Sequence, residues 1–204
     1  MNSDVANNKV FLQGTVINNP VFNHSVKEDE FYGFSLSVNR LSGQADVIPI
    51  IISKNLVNLY NIKMGNNIAI KGQFRSFNKF ENERRKLVLS VFVKEICEWD
   101  ENANPNVIEL NGFVCKPAIY RTTPFSREIC DVLLAVNRKF NKSDYIPCIA
   151  WGANAQLVSR MGVPTNLRIV GRIQSREYNK VVNESAESIV KTAYEVSISK
   201  LVNE

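Results

Sequence analysis

The sequence predicts an all-β protein in which two domains of the same fold follow one another. Short stretches with apolar residues at every second position run along the chain, and the pattern of the first half recurs in the second. Val38-Asn39-Arg40 recurs as Val136-Asn137-Arg138, and Gly14 recurs as Gly112, each 98 positions later. A repeat of this length is a domain and not a solenoid unit. The chain therefore divides into a first copy and a second copy of one domain.

Each copy contains five predicted strands and one short helix. In the first copy we expect the helix at residues 55–60 and strands at residues 10–16, 34–38, 47–52, 68–74 and 87–93. In the second copy we expect the helix at 154–160 and strands at 108–114, 129–136, 145–151, 167–173 and 193–198. A helix between the third and fourth of five strands is the order of an OB-fold barrel. The sequence thus predicts two tandem OB-fold five-stranded barrels.

A short polar stretch separates the two copies. Residues 99–106 lose the alternation of apolar residues and include Pro105, which predicts a linker. The expected OB-fold domain 1 then covers residues 1–98, and OB-fold domain 2 covers residues 107–204. The hairpin that joins the last two strands is expected to be longer in the second copy, where residues 179–191 correspond to 78–86.

Composition narrows the classes of protein that fit the chain. The net charge of +5 is spread over both halves and is compatible with a polyanionic partner. The four cysteines show no CxxC spacing and lie in or beside apolar runs, which predicts reduced thiols and no bound metal. Because neither a signal peptide pattern nor an apolar run of about 18 residues is present, we expect a protein of the cytoplasm that does not span a membrane.

Catalytic residue patterns are absent from the sequence. His24 is the only histidine, and its polar neighbours predict a surface loop. The carboxylates are scattered, and no glycine-rich phosphate loop leads from a strand into a helix. The sequence therefore predicts a protein that is not an enzyme and needs no cofactor.

Aromatic and basic residues are interleaved in the second copy. The candidate stacking residues are Phe140, Tyr145, Trp151 and Tyr178, and the candidate phosphate contacts are Arg138, Lys139, Lys142, Arg172, Arg176 and Lys180. Single-stranded nucleic acid requires this combination, because unpaired bases stack on flat rings at about 1–3 kcal/mol each while cations follow the phosphates.

Aromatic residues in strands more often belong to the core, so the position of each ring matters. Phe140 lies at a strand end and Tyr178 at a hairpin, where polar neighbours favour exposure. Strand alternation places Pro147 and Ile149 on the same face as Tyr145 and Trp151. The opposite face, which consists of Ile146, Cys148 and Ala150, is expected to line the barrel interior.

Several motifs of the second copy closely resemble the bacterial single-stranded DNA-binding protein family. They are Gly112, Pro117 and the segments 134–138 (LAVNR), 144–152 (DYIPCIAWG) and 171–178 (GRIQSREY). The resemblance implies an OB-fold that binds single-stranded DNA with little sequence preference, in replication, repair or recombination, without a cofactor. It implies that Phe140, Tyr145, Trp151 and Tyr178 stack on bases. It also implies an assembly of four OB-folds, and therefore a homodimer of this two-domain chain.

The first copy resembles the same family more faintly and lacks its rings. The four stacking positions fall on Ser42, Val47, Ser53 and Lys79 when they are moved back by 98 or 99 residues. Basic residues remain, and two rings on the hairpin are candidate substitutes, so the first-copy candidates are Arg40, Arg75, Phe77, Lys79 and Phe80. We expect the second copy to bind strongly and the first to contribute phosphate contacts and assembly.

The C-terminal sequence differs from that of family members that recruit replication and repair enzymes. Those members carry a flexible linker and a short acidic tip, whereas this sequence ends at Glu204 soon after the last predicted strand. We therefore do not expect recruitment of partner proteins through a tail.

Two other functions are compatible with the sequence. One is a primosome-type or other OB-fold protein-interaction module with weak nucleic-acid binding, which the missing rings of the first copy favour and the retained rings of the second oppose. The other is RNA binding, for which no residue specific to a 2′-hydroxyl is evident.

Overall fold

The computed structural model describes residues 7–40, 42–56, 61–81, 84–181 and 188–202 and consists almost entirely of β-strands. The first copy contains β1 (Asn8–Val16), β2 (Val21–Val26), β3 (Asp29–Asn39), β4 (Ala45–Ser53), β5 (Asn67–Glu81) and β6 (Arg84–Cys97). The second copy contains β7 (Asn106–Val114), β8 (Ile119–Thr122), β9 (Glu128–Arg138), β10 (Lys142–Trp151), β11 (Asn166–Val181) and β12 (Ser188–Leu201). Helix α1 (Gly152–Ser159) follows β10, and a single 3₁₀ turn (Lys54–Leu56) follows β4.

Both copies close into barrels by the pairing that defines an OB-fold. In the first copy β1 pairs with β3 and β5, and β4 pairs in parallel with β6. In the second copy β7 pairs with β9 and β11, and β10 pairs in parallel with β12. The predicted fold class of two tandem OB-folds is therefore confirmed. Residues 57–60 of the helix predicted in the first copy lie outside the described residues.

The structure adds one edge strand to each predicted barrel. Within the described residues β2 pairs with β3 alone and β8 with β9 alone, so each lies at an end of the sheet. His24, which the sequence predicts in a surface loop, lies in β2 opposite Phe31, so that prediction was wrong. A register shift between Phe22 and His24 interrupts the alternation of the strand. The pattern of period two is therefore not visible in the sequence at this point.

Each barrel is filled by aliphatic side chains from the inward positions of its strands. Completely buried examples are Leu12, Leu36, Ile48, Ile70 and Phe74 in the first copy and Ile108, Leu110, Leu134, Ile146 and Ile169 in the second. The strands bend sharply where Gly72 and Gly171 follow register shifts in β5 and β11. A Cβ atom on Gly72 would lie 2.2 Å from the carbonyl oxygen of Phe92, so only glycine permits this approach.

An approximate two-fold axis relates the two copies within the chain. Strands β1 and β7 pair antiparallel, and Val10 is opposite Ile108, the residue at the same position of the other copy. This pairing joins the strands into one 12-stranded sheet. Since each copy uses the same strand at the junction, the chain contains an internal dimer of barrels.

Two equivalent asparagines fix the strands beside this junction. The Asn8 side chain donates to the Phe74 carbonyl at 2.7 Å and accepts the Phe74 amide at 2.9 Å. Asn106 makes the same two bonds with Ile173, at 2.7 and 2.9 Å. Each asparagine therefore satisfies a buried backbone amide and carbonyl of its own copy.

Two equivalent aspartates connect the copies to each other. The Ser175 amide donates to Asp46 Oδ1 at 2.7 Å, and the Ser76 amide donates to Asp144 Oδ1 at 2.8 Å. Both carboxylate side chains are fully buried. Each one thus links its own copy to the backbone of the other copy.

The two carboxylates are neutralised unequally. Arg40 binds Asp46 through two hydrogen bonds, of 2.7 Å from Nε and 2.5 Å from Nη2. Burial raises the pKa of Asp46, but the bonds from Arg40 and the Ser175 amide outweigh it and the net pKa is lowered. Arg138 approaches Asp144 only at 3.4 Å, and burial raises the pKa of this carboxyl. Asp144 Oδ2 is buried without a hydrogen-bond partner.

Candidate nucleic-acid interface

Strand β10 supplies two exposed rings on one face of the second barrel. Tyr145 is 45% exposed and Trp151 is 37% exposed, while Ile146, Cys148 and Ala150 alternate with them and are buried as predicted. Ile149 shares the outer face but is only 5% exposed. It is flanked on both sides, by Asp131 on β9 and Ser197 on β12.

A hydrogen bond orients the ring of Trp151. Its indole Nε1–H donates to Ser197 Oγ at 3.2 Å, so one edge of the ring is anchored on β12. The ring lies where β10 ends and α1 begins. An aromatic side chain that is anchored at its polar edge and exposed elsewhere can stack on a base without losing further freedom.

Strand β11 places cations and a third ring on the same face of the second barrel as Trp151. Arg172 lies opposite Ser197, and strand alternation puts Arg176 and Tyr178 on the same face as Arg172. The Tyr178 residue is 39% exposed, and the Arg176 guanidinium lies 5.8 Å from its ring centre. We call this surface the stacking face; it consists of Tyr145, Trp151, Arg172, Arg176 and Tyr178.

Phe140 lies apart from these residues, at the turn between β9 and β10. It is 91% exposed and has a φ of 64°, a conformation that bulky residues rarely adopt. Lys139 and Lys142 lie beside it and are exposed. The exposed ring of Phe140 is therefore accessible to a ligand.

Three of the predicted arginines are engaged in ion pairs with the two buried aspartates. Arg172 approaches Asp46 Oδ2 at 3.9 Å and is 38% exposed. Arg40 binds Asp46 and also donates to the Ser175 carbonyl at 3.2 Å, so the structure gives it a role in joining the copies. Arg138 pairs with Asp144, is 30% exposed and also lines two surface grooves. For Lys180 the structure describes the backbone in β11 but not the side chain.

Of the first-copy candidates, Arg75, Phe77 and Lys79 lie on strand β5 and line a groove of about 740 Å³, whereas Arg40 and Phe80 do not line it. Phe77 is 45% exposed and Phe80 is 71% exposed, and the Arg75 guanidinium lies 4.8 Å from the ring centre of Phe92. We call this depression the first-copy groove; its main lining residues are His24, Arg75, Phe77, Lys79, Phe92 and Arg138.

Three rings beside this groove were not predicted from the sequence. His24 and Phe31 stack in parallel, with ring centres 4.8 Å apart and planes 6° apart. Phe92 lies 6.3 Å from Phe31 and 6.4 Å from His24. Phe92 is equivalent to Ser197, and aligning these two residues would have revealed it. The last strands of the two copies are, however, separated by a different number of residues from the other strands, because the second hairpin is longer.

Other kinds of site find little support in the described part of the chain. It contains no cluster of three or more histidine, cysteine or acidic residues that could hold a metal ion. The thiols of Cys97, Cys115, Cys130 and Cys148 are free, and burial raises the pKa of Cys148. Among the described residues no helix has the length and hydropathy that a membrane span requires.

The pairing of the strands in both copies is that of an OB-fold protein. Residues 105–201, which make up most of the second copy, match the model of the single-strand binding protein family. Proteins of this family are non-enzymatic DNA-binding proteins, in agreement with the expectation that the chain is not an enzyme. A search of curated protein sequences found no significant match.

Solved structures extend the similarity to both copies. The wild-type single-stranded DNA-binding protein of Thermus aquaticus is 18% identical, with 97% of this chain and 92% of that chain covered and a TM-score of 0.73. A deletion mutant of the same protein gives 18% identity, 97% and 94% coverage and a TM-score of 0.72. The N-terminal domain of the PriB protein from Thermoanaerobacter tencongensis is 37% identical, covering 46% of this chain and 98% of that domain, with a TM-score of 0.40. The Thermus matches establish a shared fold over the chain.

Proposed function

We propose that this chain binds single-stranded DNA with little sequence preference, mainly through its second copy. The observation that carries the proposal is the stacking face, where three partly exposed rings and two guanidinium groups share one side of β10 and β11. The family of the second copy supports the same function. Phe140, Lys139 and Lys142 extend this surface at the turn before β10.

The chemistry of this face accounts for the tolerance of sequence. Every base has a π-face on which Trp151, Tyr145 or Tyr178 can stack, and Arg172 and Arg176 can neutralise phosphates of any sequence. Affinity should therefore depend strongly on salt and weakly on base order.

A titration of oligo-dT followed by tryptophan fluorescence tests the proposal. Trp99 also emits and is 44% exposed, so the measurement uses a Trp99→Phe background. Stacking on Trp151 should quench the emission, and the affinity should fall steeply as salt is raised. Absence of both quenching and binding at low salt would refute the proposal.

We further propose that two chains associate to present four OB-folds. The internal two-fold already builds a pair of barrels from one chain, so a homodimer is sufficient. Light scattering should give twice the 23.1 kDa mass of one chain, and a monomer at micromolar concentration would contradict this. Activity in cytoplasmic replication, repair or recombination is the role that such a binding protein would serve.

A further inference from the structure

We propose that the first copy carries a base-stacking site of its own, in which His24 and Phe92, supported by Phe31, replace the ring that Trp151 supplies in the second copy. The site lies outside residues 105–201, which match the family model. This inference rests on the proposed function and adds a second, differently built contact with single-stranded DNA.

The first difference between the copies is an exchange of residues between β3 and β4. Ser53 occupies the position of Trp151, and its cross-strand neighbour is Phe31. In the second copy the cross-strand neighbour of Trp151 is Ile129, which occupies the position of Phe31. The first copy therefore carries the large ring on β3, whereas the second copy carries it on β10, which is equivalent to β4.

A second exchange involves the last strand of each copy. Phe92 pairs with Ile51, as Ser197 pairs with the equivalent Ile149. Ser197 anchors the Trp151 indole, whereas in the first copy the small residue is Ser53 and the ring is Phe92. Both exchanges keep aromatic area on this part of the sheet while they change which strand provides it.

The geometry of the three rings fits the capture of a base. Phe31 stacks on His24 at 4.8 Å and fixes its plane, while His24 and Phe92 both border the first-copy groove. All three residues are half-buried, so their backs are packed and part of each remains exposed. The volume of about 740 Å³ lies within the range of roughly 300–1,000 Å³ that is typical of ligand sites.

The charges around the groove select an anionic ligand. Arg75 lies over the Phe92 ring, and Arg138 of the second copy borders the same groove. Burial and the neighbouring Arg138 charge lower the pKa of Arg75, so two cations lie close together here. A phosphate between them would relieve their repulsion, and a nucleotide could supply it while its base stacks on the exposed part of His24 or Phe92.

The two copies are also connected along this surface. Arg75 and Arg138 line a second groove, of about 440 Å³, that reaches Lys139, Phe140 and Lys142. A strand that passes Phe140 can therefore continue over the two arginines into the first-copy groove. The occupant we propose is the continuation of the DNA bound by the second copy.

The test replaces the rings with residues that the same fold already accepts. The double variant Phe31→Ile, Phe92→Ser introduces the second-copy residues at both positions, so folding should be preserved. The matched control is Phe22→Ala, because Phe22 is 58% exposed on β2 but packs edge-on against Tyr32 and not against His24. His24→Ala is the second variant should the double variant fail to fold.

Affinity is measured with oligo-dT of about 8 and about 32 nucleotides, since one OB-fold covers roughly 4–16 nucleotides. The double variant and His24→Ala should weaken the longer complex about tenfold and leave the shorter one within about twofold, and Phe22→Ala should change neither. Ultraviolet crosslinking of the wild-type complex with the longer oligomer should label peptides that contain Phe31 or Phe92.

The outcomes separate this inference from the proposed function. Wild-type affinity for both oligomers in the variants, with crosslinks confined to residues 107–204, would overturn the inference and leave the second-copy site intact. Failure of the wild-type chain to bind either oligomer would overturn both.

Discussion

Asp46 and Asp144 occupy equivalent positions, yet replacing each with asparagine should have unequal effects. Asparagine keeps an oxygen that can accept the amide of Ser175 or Ser76, so the bond between the copies survives in both variants. The difference lies in the arginines. Asp46→Asn removes the charge that Arg40 binds twice, whereas Asp144→Asn removes only a contact of 3.4 Å with Arg138.

The magnitudes follow from these contacts. A hydrogen bond to a charged group contributes about 1.5–3 kcal/mol, and Arg40 is 21% exposed and can recover part of its hydration. We expect Asp46→Asn to lower the free energy of unfolding by about 2–3 kcal/mol. Asp144→Asn should change it by less than about 1 kcal/mol, because Asp144 Oδ2 has no partner to lose and the buried charge disappears.

The pH dependence has opposite signs at the two sites. The pKa of Asp46 is lowered in the folded state. Its carboxylate therefore stabilises the folded chain fully above the ordinary aspartate pKa, and this stabilisation is lost as the pH falls through the lowered pKa. The folded pKa of Asp144 is raised, so its carboxylate destabilises the folded chain above that pKa, and the penalty disappears as pH falls through it.

Urea denaturation followed by circular dichroism at pH 7 and at lower pH measures both effects. The decrease in the free energy of unfolding caused by Asp46→Asn should be largest near neutral pH and smaller below about pH 4. If both variants lowered the free energy of unfolding equally at pH 7, the unequal arginine contacts would not explain the stability of the two sites.

Three further predictions concern the stacking face and the junction. Trp151→Ala with Tyr178→Ala should weaken oligo-dT binding at least about tenfold, far more than Phe77→Ala with Phe80→Ala, in an anisotropy titration; equal losses would contradict a dominant second copy. Ser197→Ala removes the anchor of the Trp151 indole and should weaken binding about threefold or more with Tm nearly unchanged; unaltered affinity would show that the anchor is dispensable. Asn8→Ala and Asn106→Ala should each lower the free energy of unfolding by about 2–3 kcal/mol in urea titrations, whereas exposed Asn111→Ala should not; matching values for all three would reject the proposed role of the buried amides.

Much of the fold was predictable because its information is local. Alternation along β10 gave both the strand and its two faces, and the buried Ile146, Cys148 and Ala150 confirm that alternation. Ile149 shows the limit of this reasoning. Alternation gives the face on which a residue lies, but its exposure depends on neighbours from β9 and β12, which are distant in the sequence.

The parts that were not predicted depend on contacts between distant segments. The repeated Asp46 and Asp144 were visible in the sequence, but the amides they bind belong to the other copy. The groove rings were missed for a different reason. The register shift in β2 breaks the alternation by which the strand containing His24 could have been recognised. Because the two hairpins differ in length, the equivalence of Phe92 with Ser197 was not recognised from the spacing of the repeat.

Identical residues in the two copies have a different physical role from residues that differ. Asn8 and Asn106, like Asp46 and Asp144, serve buried backbone groups on which the internal two-fold depends, so a change in one copy would leave an unsatisfied donor or acceptor. No such constraint acts on the outer face. There Trp151, Ile129 and Ser197 correspond to Ser53, Phe31 and Phe92 with the rings redistributed among strands. Because a base can stack on any suitably exposed ring, the proposed stacking sites of the two copies can use rings from different strands of the same frame.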